Sequence, residues 1–129
     1  MTDLFSTELP EVRATLKLTG ALQPEELSEL LGVPGSSSQG PVLTKVWEYS
    51  TTRERTIDAA SHLETILGVV RPHFQEFQAL IIDKSLDVDI QLSVELSAGE
   101  SPTGSIDAIR IAELAAMGAG LDVQLRSRQ

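Results

Sequence analysis

The chain has 129 residues, no cysteine, and nineteen acidic against ten basic side chains for a formal net charge of −9, which bounds it to one ordinary domain with a single core. Structural disulfides and thiolate chemistry are excluded, and the acid excess repels a phosphate backbone, which argues against nucleic-acid binding. No apolar run reaches the roughly 18 residues that span a bilayer, and MTDLFSTELPEV lacks the basic-then-apolar order of a signal peptide, so the expectation is a cytoplasmic protein with no membrane association.

Residues 1–10 read as a loose start. Val12, Ala14, Leu16 and Leu18 then alternate with Arg13, Thr15, Lys17 and Thr19, the period of a strand with one greasy and one basic face. Gly20 ends it. Pro24 opens a short helix through Leu31, with Glu25 and Glu26 at its positive end and Leu27, Leu30 and Leu31 as its apolar stripe, and Gly32 and Pro34 stop it. Residues 34–41, PGSSSQGP, carry no periodicity and read as a mobile loop.

Leu43 to Ser50 predicts the next strand, with Trp47 and Tyr49 on one of its faces. They are the only Trp and Tyr in the chain. Two rings at that spacing suit the core or its edge, or a sticky surface for a partner. Thr56 caps a helix carrying Ile57, Ala60, Leu63, Leu67 and Val70 at steps of three and four. Pro72 breaks it, and a second helix is expected to start there with Phe74, Phe77 and Ile81 inward.

The strongest signal is SLDVDIQLSVELS, residues 85–97. Leu86, Val88, Ile90, Leu92, Val94 and Leu96 take every second position, so this is a long strand with one apolar and one wet face. Six aliphatic side chains at roughly 1.5–3 kcal/mol each are too much apolar surface to leave in water, and helices must roof them. AGESPTGS follows as a loop. A helix from Ala108 to Met117, capped by Asp107, lines one side with Ile109, Ala112 and Ala116, and Ile111, Leu114 and Ala115 widen its apolar face. Gly118 ends it, Leu121, Val123 and Leu125 mark a last strand, and residues 127–129 are a frayed tail.

The expected architecture is a single domain over 1–129 of the α+β class, a two-layer sandwich in the order β-α-β-α-α-β-α-β. Four strands form a mainly antiparallel sheet with the helices on one face. Strand, helix, strand recurs over 12–49 and 86–125, which suggests two related β-α-β units. The basic face of the first strand is expected beside the acidic face of the long one, with Arg13 and Lys17 opposite Asp87, Asp89 or Glu95.

No constellation demands a particular chemistry. Gly99 to Ser105 has the glycine spacing of a phosphate loop, but Ser105 stands where a lysine is needed, Glu100 has the wrong charge and Pro102 removes an amide donor. Gly118-Ala-Gly120 follows a helix, the reverse of a dinucleotide fingerprint, and terminates it. His62 and His73 read as solvated or edge histidines with no third ligand at metal spacing. Asp87 and Asp89 lie about 7 Å apart on one strand face, while Glu95 is roughly 20 Å beyond Asp89 and cannot complete a cation site with them. Catalytic, cofactor and metal residues are therefore assigned as none.

The layout resembles a family of small, mostly bacterial proteins known as domain of unknown function 4279. The residues that carry the likeness are the opening strand followed by LQPEELSELLGV, the Gly40-Pro41 turn leading to Val46-Trp47-Glu48-Tyr49, the helical span broken at Pro72, the alternating strand at 86–96 and the closing IAELAAMGAGLDVQL. Some members look like immunity proteins of bacterial toxin systems, which implies a non-enzymatic module that occupies a basic protein such as a toxin. The candidate partner-binding residues are then Asp87, Asp89, Glu95, Trp47 and Tyr49. The alternatives are a small-molecule or metal-binding domain, or a minor enzyme, using a pocket near Trp47 and Tyr49, and a homodimer formed through an uncovered strand edge.

Overall fold

A computed structural model describes residues 11–40, 43–55, 59–96 and 108–127. The Thr56 and Asp107 caps, the loop at 98–105, residues 1–10 and the last two residues lie outside this range. The alternating segment at the start becomes β1, Glu11–Gly20, and Pro24–Leu31 becomes α1. Pro24 sits at the first helical turn, where its missing N–H costs nothing. Gly32 closes α1 at φ 69°, a left-handed conformation, and its N–H bonds the Ser28 carbonyl at 2.9 Å.

The first departure from expectation follows at once. Ser36–Gln39 is a strand, β2, rather than a mobile loop, and it pairs antiparallel with β3, Lys45–Ser50. Its four side chains are all exposed. A polar strand held by backbone bonds alone at a sheet margin leaves no apolar period to read.

β4 is the two-residue Glu54–Arg55, and α2 runs Ala59–Val70. Pro72 interrupts the helical span through a single 3₁₀ turn, Arg71–His73, so α3 begins at Phe74 and runs to Lys84, not from Pro72 itself. Phe77 is buried, while Phe74 and Ile81 are half-buried against the core. β5 is Asp87–Leu96, α4 is Ala108–Met117 and β6 is Ala119–Ser127.

Five strands lie side by side in the order β2-β3-β1-β5-β6, and β4 pairs with β1 beyond the end of β3. β1 is antiparallel to β3 and β5, whereas β5 and β6 are parallel. The sheet is thus mixed and wider than the four strands expected. The two presumed repeats are not equivalent either: β1 and β3 are antiparallel neighbours because β2 turns the chain back, while α4 returns the chain to make β6 parallel to β5.

The expected adjacency of β1 and the long strand holds. Leu18 pairs with Val88, Leu16 with Ile90 and Ala14 with Leu92 on the apolar side, and all six are buried. Leu27 and Leu31 of α1, Leu63, Ile66, Leu67 and Val70 of α2, Phe77 of α3 and Leu114 and Met117 of α4 roof them. Every helix contributes to this one layer, as a sheet with a single apolar face requires. Among the described side chains of α4 the covering residues are Leu114 and Met117, whereas Ile111, Ala112, Ala115 and Ala116 are exposed and Ile109 lies outside the described side chains, so over 111–117 the apolar face read from sequence is wider than the one the core uses.

Candidate functional site

The face of the sheet turned away from the helices is mainly polar, with Val46 and Thr15 buried within it, and no helix among the described residues covers it. Register places Glu11, Arg13, Lys17, Asp87, Asp89, Gln91, Ser93 and Glu95 on it, together with Glu48 and Ser50 of β3 and Asp122, Gln124 and Arg126 of β6. Lys17 stands between Glu48 on one side and Asp89 on the other, so charge alternates across three neighbouring strands. Arg13 falls opposite Ser93 instead of a carboxylate. Arg53 supplies the cation at that end, 3.6 Å from Glu11 and 3.9 Å from Glu95. Asp87 lies beside Thr19 and is exposed. Acidic side chains outnumber basic ones on this face.

Trp47 points the other way. Opposite Leu18 on β1, it is wholly buried, and its indole Nε1 donates to Ser28 Oγ of α1 at 3.1 Å. The ring lies so close over Gly35 that a Cβ there would be 2.1 Å from Nε1. Trp47 therefore has no surface to offer a partner, which corrects its placement among the partner-binding residues. Large rings with a single donor are most stable where the ring is dry and the donor satisfied, and the α1–β2 junction provides both. Tyr49, opposite Leu16, is half-buried at the margin of the same core.

A second polar cluster joins β3, β4 and α2. Thr15 pairs with Ser50 but Val12 pairs with Glu54, so three steps along β1 match four along its neighbour, the mark of a β-bulge. One extra residue reverses which side chains face the helices. Thr51 and Glu54 consequently both reach the helix side, and His62 of α2 lies between them. Thr51 Oγ1 accepts the Ala14 N–H at 3.0 Å and stands 2.7 Å from His62 Nδ1, while His62 Nε2 is 3.1 Å from Glu54 Oε1. With Nδ1 as acceptor and a proton on Nε2, every donor has an acceptor: Ala14 N–H to Thr51, Thr51 O–H to Nδ1, Nε2–H to Glu54. Thr51 and His62 are buried. The order hydroxyl, imidazole, carboxylate is that of a nucleophile with its base, but the hydroxyl is enclosed and already bonded to the backbone, and the chain of bonds ties the bulge to α2.

An apolar pocket of about 440 Å³ opens where the 3₁₀ turn meets α4, lined by Leu67, Val70, Phe74, Ala112, Ala116 and Met117. Arg71 and Glu113 stand at its rim. Arg71 bonds Glu113 through Nε at 2.6 Å and Nη2 at 2.7 Å, and Glu64 through Nη2 at 2.9 Å. These bonds hold the guanidinium charged even more firmly than usual. Among the described residues no three His, Asp or Glu side chains gather as a metal site, and no helix is long and apolar enough to cross a membrane.

Residues 10–128 match the family described as domain of unknown function (DUF4279). The chain belongs to that family. No curated protein and no solved structure matches it. Of the five partner-binding residues expected from sequence, the fold of this DUF4279 domain brings Asp87, Asp89 and Glu95 onto one face but separates them from Trp47 and Tyr49, which face the helices. His62, expected to be solvated or at an edge, is buried. Nothing in a helical period foretells that, since the bulge that receives His62 is visible only as a loss of alternation after Ser50. The apolar pocket also lies apart from Trp47 and Tyr49: Pro72, which breaks the helix beside it, is the one sequence signal near it.

Proposed function

We propose that this DUF4279 domain is a non-catalytic protein-binding module that meets a basic partner through the open face of its sheet, with Asp87, Asp89 and Glu95 as contributing charges. The observation that carries the reading is a broad sheet face that no helix among the described residues covers, on which Lys17 stands between Glu48 and Asp89 and carboxylates are in excess. Such a face steers an oppositely charged protein and fixes its register. The enclosed Thr51 hydroxyl favours a structural over a catalytic use of the only hydroxyl–imidazole–carboxylate set among the described residues. A toxin-neutralising immunity protein is the specific form of this proposal, motivated by the look of some relatives, and a cysteine-free chain suits the cytoplasm.

The test is co-expression with the product of the neighbouring gene, followed by co-purification at low and high salt. A complex that forms at low salt and is weakened by D87N, D89N and E95Q together supports the proposal. A complex indifferent to all three charges, or toxicity of the neighbour unrelieved by this domain, removes the sheet face or the immunity role respectively.

A second reading rests on the pocket between the 3₁₀ turn and α4. Its volume, about 440 Å³, falls within the range of small-molecule sites, and its lining is apolar with charged groups only at the rim. An apolar ligand at a hundred times its dissociation constant stabilises by about 2.7 kcal/mol. A thermal-shift screen that responds to apolar metabolites, and loses the response in A112W, supports it; a flat screen removes it.

A further inference from the structure

The two margins of the sheet are finished differently. β2 is short, wholly polar and exposed, the kind of margin that discourages another strand. β6 is nine residues long. Its helix-side residues Leu121, Val123 and Leu125 are 36%, 48% and 51% exposed, and the described α4 side chains that enter the core, Leu114 and Met117, leave these three uncovered. Among the described residues no strand lies on the outer side of β6. A long, half-apolar edge with unpaired backbone groups is a template for one more strand.

We propose that the strand is β6 of a second copy, paired antiparallel about a twofold axis through Val123, so that two sheets become one. Ala119–Ser127 is centred on Val123, and this is the register that pairs the whole strand with itself. Leu121 then faces Leu125 of the second copy and Val123 faces its own equivalent, so each uncovered aliphatic meets another. On the opposite face Asp122 faces Gln124, and Arg126 faces Gly120. Gly120 has no side chain, and Asp89 leans over it, with Oδ1 2.7 Å from where a Cβ would stand. Arg126 of the second copy reaches that carboxylate across the glycine, and the twofold axis repeats the pair. Among the described residues Arg126 makes no ion pair within its own copy. Self-complementary charge together with self-complementary apolar surface selects a second copy over an unrelated strand.

Sedimentation and light scattering over a dilution series should give twice the monomer mass at high concentration. Val123→Lys places two ammonium groups at the axis and should yield a monomer; the half-exposed position lets the lysine reach water, and retention of the far-UV spectrum and of cooperative unfolding checks the fold. Arg126→Glu, on the exposed face, should weaken association about tenfold, the worth of two surface ion pairs. Val123→Cys supplies the only thiol in a chain without cysteine, and the two equivalents lie within disulfide reach across an antiparallel pair, so mild oxidation should give a covalent dimer. A monomer mass at every concentration overturns the proposal. So does a dimer that V123K leaves intact, or one that V123C does not cross-link.

Discussion

Ser28 is small, yet two parts of the domain depend on it. Its hydroxyl accepts from Trp47 Nε1 and, at 3.4 Å, from the Gly35 N–H, so one oxygen on α1 anchors the core ring and the start of β2. Ser28→Ala leaves the buried indole donor unsatisfied and should cost about 1–3 kcal/mol. Urea unfolding followed by the fluorescence of the single tryptophan measures it. Gly35→Ala drives a methyl into the indole, and overpacking of that severity should cost at least about 1–3 kcal/mol in the same assay. Thr51→Val keeps the shape but takes away the acceptor of Ala14 N–H and the hydroxyl partner of His62 Nδ1. A loss of about 1–3 kcal/mol is expected, with accelerated hydrogen exchange at the Ala14 amide as the local sign.

At the level of elements, the sharp turn at Pro72 matters for what it aims. It directs Arg71 at Glu64 on α2 and at Glu113 on α4, so the guanidinium clips α2 to α4 across the mouth of the pocket. Both partners are partly exposed, and a double-mutant cycle of Arg71→Ala with Glu113→Ala should give a coupling of roughly 0.2–1 kcal/mol that shrinks with salt. Which elements could be read in advance follows from the same physics. β1 and β5 each bury one face, so Val12 to Leu18 and Leu86 to Leu96 alternate openly, and even their pairing follows from Lys17 and Asp89. α1 is bounded by Pro24 and Gly32, residues with steric reasons to stand there. β2 is illegible because Ser36 to Gln39 bury nothing. The bulge after Ser50 is illegible because one extra residue cancels the period that a strand is recognised by. The polar triad therefore escapes any reading by spacing, while the carboxylates of β5 do not.

Across the whole molecule the division of labour is between a roofed face and a bare one. If the bare face binds a basic protein, association should slow steeply with ionic strength while dissociation changes little, and stopped-flow rates measured across a salt series check this. The arrangement of strands has another consequence, during synthesis. β1 is made first yet lies in the middle of the sheet, between β3 and β5. At about 5–20 residues per second, Val12 leaves the ribosome roughly 4–16 s before Val94, the residue it must lie beside. For that interval Leu16 and Leu18 have at most β3 on one flank and nothing on the other. A nascent chain stalled before β5 should therefore bind chaperones and be cut readily by protease, and one released after β5 should not.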